Sequence, residues 1–89
     1  MVCIRFTSLL GQRIGGLTSV EVSATTVESA LHAFTDQYPA VTRLVWSEKN
    51  VVNPMMALFL NDKLLEHGEL SATVKAGDQI EIVPAVSGG

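Results

Sequence analysis

The sequence is poor in cysteine, in basic residues and in long apolar runs, and each shortage excludes a class of protein. Its only cysteine is Cys3, which excludes an internal disulfide framework and a cysteine-rich zinc site. Six Lys and Arg against nine Asp and Glu give a formal net charge of -3. Such a chain has no basic surface for nucleic acid or an anionic membrane. The longest apolar run, residues 55–60, is far too short to cross a membrane.

Apolar residues are what the sequence does contain, and their share predicts a folded core. They make up 47% of the 89 residues, while charged residues make up 17%. This composition is typical of a folded domain rather than a disordered chain, and the length allows one domain. Because the N-terminus alternates in polarity and lacks the apolar block of a signal peptide, we expect a soluble, cytoplasmic protein.

The first quarter of the sequence has the pattern of a β-hairpin. Val2, Ile4 and Phe6 alternate with polar neighbours, and residues 18–23 alternate in the same way. Glycines punctuate residues 11–16 between the two runs. These features predict two antiparallel strands with residues 11–16 as their connection.

A single helix is predicted next, over residues 25–38. Thr25 and Glu28 have the spacing of a capping box, and Pro39 disfavours helix at the residue before it. A stripe of apolar residues recurs at helical spacing: Val27, Ala30, Leu31, Phe34 and Tyr38. Residues 41–46 suggest a second short helical turn, and residues 48–54 read as an irregular loop.

Strand patterns return in the second half of the chain. They cover residues 55–60, 63–66 and 79–83, and Pro84 is expected to end the last ladder. Strands around one helix indicate an α+β fold with the helix across one sheet face. We expect Val27, Leu31 and Phe34 to be buried against Ile4, Leu58 and Ile82.

Residues able to carry catalysis are scarce. His67 precedes Gly68 and Glu69 as in half of a zinc-deaminase motif, but the required cysteine pair is missing. Ser87 lacks a nucleophile-elbow motif, and His32 is expected on the helix surface. Cys3 has no histidine beside it in the sequence to activate its thiol. We therefore predict neither an autonomous enzyme nor a metal site.

The most informative feature is the sequence end, Gly88-Gly89. Two residues without side chains can thread a narrow cleft and adopt backbone angles closed to other residues. Such an end can present its carboxylate to a partner enzyme, although a frayed terminus is the simpler explanation.

Strand parity adds a candidate docking patch near this tail. If Leu58 and Ile82 face the helix, Phe59 and Val83 face the other side of the sheet. An exposed aromatic-aliphatic pair is typical of a protein interface. The alternative is that the short helix near Trp46, or a loop, covers the pair.

Nearly the whole chain resembles the MoaD/ThiS family of ubiquitin-like β-grasp sulfur carriers. The resemblance rests on the hairpin, the single helix, Leu60-Asn61-Asp62 and, above all, residues 76–89, which read AGDQIEIVPAVSGG. The Pro84-Ala85-Val86 segment looks most like the cysteine-synthesis branch. The resemblance implies a β-grasp domain over residues 1–84, with a mixed sheet of four to five strands, and a flexible tail over residues 85–89.

The resemblance also implies a mechanism in which Gly89 carries the reactive atom. An E1-like adenylyltransferase would use ATP to adenylate the Gly89 carboxylate, and a sulfur donor enzyme would convert the adenylate to a thiocarboxylate. A biosynthetic enzyme would then accept the sulfur. Gly88 would give access to the cleft, while Phe59 and Val83 would dock the domain. The chain itself would bind no cofactor and would be a monomer when free.

Two other functions fit the same resemblance. One is the small subunit of molybdopterin synthase, which would use the same thiocarboxylate. The other is a protein modifier whose Gly89 is joined to lysines of target proteins. The sequence leaves these alternatives open because the difference lies in the partners.

Overall fold

The computed structural model describes residues 1–66 and 69–85. Its strands are β1 Val2–Phe6, β2 Ser19–Val22, β3 Trp46–Glu48, β4 Val51–Val52, β5 Met56–Leu60, β6 Lys63–Leu65 and β7 Gln79–Pro84. Its α-helices are α1 Ser8–Gly11, α2 Val27–Gln37 and α3 Thr42–Val45, with 3-10 turns at Gln12–Ile14, Pro39–Val41 and Glu69–Ser71. None of the helices in these described ranges is long and apolar enough to cross a membrane.

Five strands form one mixed sheet in the order β2-β1-β7-β5-β6. The central strand β7 runs parallel to β1, with Ile80 opposite Ile4, and every other pairing in this sheet is antiparallel. With α2 packed across it, this is the ubiquitin-like β-grasp arrangement, which confirms the predicted fold class. A separate two-stranded sheet is formed by β3 and β4.

The core lies between α2 and one face of the five-stranded sheet. Val27, Leu31 and Phe34 are fully buried, as the helical stripe predicts. They belong to one cluster with the predicted strand residues Ile4, Leu58 and Ile82. The rings of Phe34 and Phe6 stack with their centroids 5.2 Å apart, which ties the helix to β1.

The helix begins one residue later than the capping pattern predicted, so the pairing of Thr25 with Glu28 is wrong. The N-cap is Thr26, whose hydroxyl accepts a hydrogen bond of 3.1 Å from the backbone N–H of Ser29. The Ser29 hydroxyl accepts one of 3.0 Å from the backbone N–H of Thr26. The Ser29 hydroxyl thus makes the hydrogen bond to the N-cap backbone that a Glu or Gln side chain usually makes from the third helical position. Glu28 instead lies in the first turn, where its charge complements the helix dipole.

The connection between β1 and β2 is helical, whereas glycine spacing predicted a hairpin loop. The α1 helix buries Leu10 in the core, and this burial stabilises the helical conformation of the connection. Gly11 is buried where a Cβ atom would overlap the carbonyl oxygen of Leu17, so the site requires glycine. Gly15 and Gly16 have left-handed φ angles of 77° and 83°, which turn the chain back toward β2.

Residues 48–54 also differ from the predicted loop, because β3 and β4 form a short hairpin. Asn50 turns the chain with a φ of 60°, and the β-branched pair Val51–Val52 returns beside β3. Trp46 is buried, and its indole N–H donates a 3.2 Å hydrogen bond to the hydroxyl of Thr35 on α2. Trp46 therefore lies against α2.

The core model predicts a large effect of Leu31→Ala. Deletion of a fully buried leucine side chain leaves a cavity, and we expect the free energy of unfolding to fall by about 2–5 kcal/mol. Leu9→Ala is the matched control, since Leu9 is 41% exposed on α1. We expect it to change stability by less than about 0.5 kcal/mol. Urea unfolding measures both, and a similar small loss for the two variants would contradict the helix-on-sheet core.

Candidate functional site

The candidate site is the outer face of the sheet, where β5, β6 and β7 run side by side. Alternation along β5 turns Leu58 toward α2 and Phe59 to the outer face, and on β7 it does the same for Ile82 and Val83. Phe59 lies opposite Glu81, and Val83 lies opposite Ala57. Phe59 and Val83 are thus diagonal neighbours on one face, at a Cα separation of roughly 7–8 Å. Both side chains are half-buried.

A groove with a volume of about 910 Å³ contains both residues. Its lining also includes Val51 and Val52 of β4, Leu64 and Leu65 of β6, Ala57 of β5, Leu70, Pro84 and Ala85. Leu64 pairs with Phe59 across the β5–β6 ladder and is 51% exposed. The groove therefore offers a mostly apolar surface that reaches the end of the last strand.

The ladder between β5 and β7 ends at Pro84, as the sequence predicts, and one backbone hydrogen bond lies beyond it. The backbone N–H of Ala85 donates a 2.8 Å hydrogen bond to the carbonyl oxygen of Met55. Pro84 itself lies opposite Met56. The bond to Met55 skips proline, whose missing donor is therefore not needed for pairing with β5. The chain is held to the sheet through Ala85.

Four residues follow Ala85 in the sequence and end in Gly88-Gly89. Three candidate residues of the tail, Ser87, Gly88 and Gly89, lie outside the described residues, and so does His67. The flexibility predicted for the tail therefore stays a prediction. The structure therefore describes the chain up to Ala85, together with the groove around that residue.

The far end of β7 is held by a polar network that fixes the register of the site. Asn61 and Asp62 have left-handed φ angles of 50° and 70° and form the two-residue turn between β5 and β6. The side-chain amide of Asn61 donates a 3.0 Å hydrogen bond to the carboxylate of Asp78, and its oxygen accepts one of 2.9 Å from the N–H of Gln79. The end of β5 is thereby joined to the start of β7, which sets Phe59 beside Val83.

The pKa of Asp78 is lowered by the groups that donate hydrogen bonds to its carboxylate. The hydrogen bond from the Asn61 amide lowers its pKa below the ordinary value of 3.8, and the backbone N–H of Lys75, 2.9 Å away, acts in the same direction. Both donors stabilise the ionised carboxylate more than the protonated one. The hydrogen bonds of the network therefore favour the ionised form of Asp78.

The sequence reasoning missed two exposed members of the groove, Leu64 and Val51. Val51, which is 47% exposed, lies in the segment that was predicted to be a loop. Two β-branched residues flanked by Asn50 and Asn53 are a recognisable strand signal in retrospect. Leu64 follows the Asn61-Asp62 turn, and its register with Phe59 places it on the same face.

The other candidate residues lie apart from this groove. Cys3 is half-buried on β1, with Glu21 and Gln79 on the two neighbouring strands. His32, predicted on the helix surface, is half-buried, and its ring stacks on Trp46 with centroids 4.4 Å apart. The described ranges contain no group of three His, Cys, Asp or Glu side chains able to hold a metal ion.

Comparison with known proteins places this geometry in a family. The sequence profile of the ThiS protein family matches residues 8–89 of this chain. No protein of curated function matches the sequence significantly.

Solved structures with the same fold cover the chain almost completely. CysO of Amycolatopsis orientalis, in a complex with BexX, is 27% identical with a TM-score of 0.85, and the alignment covers 100% of each chain. Small archaeal modifier protein 1 of Haloferax volcanii is 26% identical with a TM-score of 0.79, over 99% of this chain and 98% of that one. Mycobacterium tuberculosis CysO has a TM-score of 0.85 at 22% identity, over 97% of this chain and 100% of that one.

The lowered pKa of Asp78 predicts that the domain loses part of its free energy of unfolding at low pH. A carboxylate whose pKa is lower in the folded state stabilises the fold at pH values above its unfolded pKa, ordinarily 3.8. That contribution is lost as the pH falls through the lower pKa of the folded state. We expect Asp78→Asn to lose stability at neutral pH and to lose part of the acid slope, measured by urea unfolding from pH 7 to pH 2.

Asp62→Asn is the matched control for this prediction. It removes an exposed carboxylate from the neighbouring turn, and asparagine tolerates the same left-handed backbone. The control should keep the slope of the wild-type protein. An identical slope in Asp78→Asn would show that the Asn61–Asp78 contact does not depend on the charge.

Proposed function

The chain belongs to the ThiS family, and we propose that it is a sulfur carrier whose Gly89 carboxylate is converted to a thiocarboxylate. In this proposal the β-grasp domain is a docking body, and the chemistry takes place at the end of the chain. The sulfur is delivered to a biosynthetic pathway for cysteine or another sulfur-containing metabolite.

The reaction begins with activation of a poor electrophile. An oxygen of the Gly89 carboxylate attacks the α-phosphorus of ATP, and pyrophosphate leaves. The product is a mixed anhydride with AMP as a good leaving group. A donor enzyme then supplies sulfur at the oxidation level of sulfide, which attacks the carbonyl carbon and displaces AMP. The resulting thiocarboxylate is a nucleophile that transfers its sulfur to the substrate of an acceptor enzyme.

The observation that carries the proposal is the position of the groove relative to the chain end. Ala85 is hydrogen-bonded to the sheet and lines the same groove as Phe59 and Val83. Gly89 is the fourth residue after it in the sequence. An enzyme that reacts with Gly89 must therefore approach the groove closely, and the apolar lining offers it a surface to bind.

The comparison with Amycolatopsis supports a protein partner. Its CysO aligns with the whole of this chain and is found in a complex with another protein, BexX. We propose three partners here: an E1-like adenylyltransferase, a sulfur donor enzyme and a sulfur-accepting biosynthetic enzyme. ATP is consumed by the first of these and is not held by the carrier. The requirement for ATP favours the cytoplasm as the site of the reaction.

A second candidate function is protein modification. Small archaeal modifier protein 1 of Haloferax volcanii is 26% identical over nearly the whole chain. In this alternative, a lysine amine rather than sulfide attacks the activated Gly89, and an isopeptide bond forms. The two functions share the adenylation step and differ in the nucleophile that follows it.

The proposal predicts that Phe59→Ala weakens binding to the activating enzyme. Removal of a large ring from a docking groove should cost about 1–3 kcal/mol of binding free energy, measured by isothermal titration calorimetry. Ile82→Ala is the matched control because Ile82 lies on β7, the strand paired with β5, faces the core and is not among the residues that line the groove. It should lower stability by about 2–5 kcal/mol and bind normally while folded. The opposite pattern, in which Phe59→Ala loses stability and binds normally, would assign Phe59 to the core.

A second prediction concerns the reactive end of the chain. Deletion of Gly89 leaves a terminal glycine one residue short, and one extended residue spans about 3.3–3.6 Å. Misplacement by about 1 Å can reduce a rate on the order of a hundredfold. We therefore expect the shortened chain to fold and bind but to fail in ATP–pyrophosphate exchange with the E1-like enzyme.

The control for the deletion is Ser87→Ala, which preserves the length and both terminal glycines. It should support exchange at nearly the rate of the unmodified chain. Equal exchange by the full-length and the shortened protein would contradict the assignment of the Gly89 carboxylate as the reacting group.

A further inference from the structure

The β3–β4 hairpin contributes to the same groove as the predicted docking pair. Val51 lines the groove that contains Phe59 and Ala85, and it is 47% exposed. A single exposed valine is ordinary on a protein surface. Its continuity with half-buried apolar residues of β5 and β7 makes it part of a larger apolar surface.

The base of the hairpin is fixed to the rest of the fold by the backbone and side chain of Asn53. The N–H of Asn53 donates a 2.8 Å hydrogen bond to the carbonyl of Val45, and its side-chain amide donates one of 3.2 Å to the carbonyl of Leu44. The carbonyl of Asn53 accepts a 2.9 Å hydrogen bond from the N–H of Met56. The hairpin is thus tied to α3 on one side and to β5 on the other.

The tip of the hairpin is held against α2. The Oδ1 atom of Asn50 lies 2.7 Å from Nε2 of His32. The ring of His32 in turn stacks on Trp46, whose indole N–H binds Thr35. These contacts at the tip and base hold Val51 in place before any partner binds.

We propose that the β3–β4 hairpin, through Val51, is a docking element for the enzyme that adenylates Gly89. The inference rests on the proposed function and adds a surface to it. The partner surface that fits is an apolar side chain inserted between the hairpin and the outer face of β5 and β7. His32 is a positioning residue, because it contacts the tip of the hairpin and is not among the residues that line the groove, whereas Asn50 both contacts His32 and lines the groove.

The length of the tail limits where the adenylating enzyme can bind. Four residues beyond Ala85 reach at most about 13–14 Å at about 3.3–3.6 Å per residue. The ATP site of the activating enzyme must come within that distance of Ala85, so the enzyme surface around it must cover the groove. The tail sequence Val-Ser-Gly-Gly offers little apolar area. Most of the affinity must therefore come from the domain. Because the β3–β4 hairpin is already ordered, the complex avoids the entropic cost of ordering it on binding.

The test is steady-state ATP–pyrophosphate exchange with the E1-like adenylyltransferase of the same host, with the full-length carrier as varied substrate. We expect Val51→Asp to raise the KM for the carrier about tenfold or more and to leave kcat unchanged, because the tail is intact. Leu9→Asp is the matched control, since Leu9 is a similarly exposed apolar residue on α1. It should leave KM unchanged. Val51→Ser is measured in parallel, and circular dichroism verifies the fold of each variant.

The positioning role is tested by two variants of Asn50. Asn50→Gly preserves the left-handed turn and removes the contact with His32, so we expect a smaller increase in KM without a change in kcat. Asn50→Asp retains an oxygen acceptor for His32 and should restore the KM. If Asn50→Gly behaves as the unmodified protein does, the contact with His32 does not position the hairpin.

The outcomes separate this inference from the proposed function. If the unmodified protein supports no exchange, the proposed function fails. If it supports exchange and both Val51 variants match it, the function stands and the hairpin inference is wrong. If the Val51 variants are adenylated normally but no longer deliver sulfur to the acceptor enzyme, the inference is also wrong, because the hairpin then serves the acceptor.

Discussion

The pairing of β7 with strands on both of its sides is the constraint on which the rest of the structure depends. β7 runs parallel to β1 and antiparallel to β5, so it occupies the centre of the sheet. One set of its side chains, Ile80 and Ile82, is fully buried beneath α2. The other set includes Val83, which lines the outer groove. The same strand therefore closes the core, lines the outer groove and ends at Pro84, one residue before the last described residue.

This arrangement links the stability of the domain to the position of Ala85, the residue after which the tail follows. The Asn61–Asp78 contact fixes the start of β7, and the bond from Ala85 to Met55 fixes its end. A strand held at both ends cannot slip by one residue without moving its buried side chains to the outer face. The position of Ala85, after which the last four residues of the sequence follow, is thus set by the hydrophobic core.

Periodic features of the sequence predicted the main elements well. The helical spacing of Val27, Leu31 and Phe34 indicated the buried face of α2, and strand parity put Phe59 and Val83 on one side of the sheet. Features fixed by tertiary contacts were not predictable in this way. The helical connection after β1 exists because Leu10 finds a place in the core, and the β3–β4 hairpin exists because Trp46, Asn50 and Asn53 are anchored on neighbouring elements.

The central claim is that sulfur is carried on the carboxyl group of Gly89. The most direct test is the intact mass of the protein recovered from its own host, followed by fragmentation of its C-terminal peptide. The account predicts a fraction in which one oxygen has been replaced by sulfur, with the change confined to Gly89. A set of larger species joined to lysines through Gly89, with no sulfur-containing form, would contradict it and favour a protein modifier.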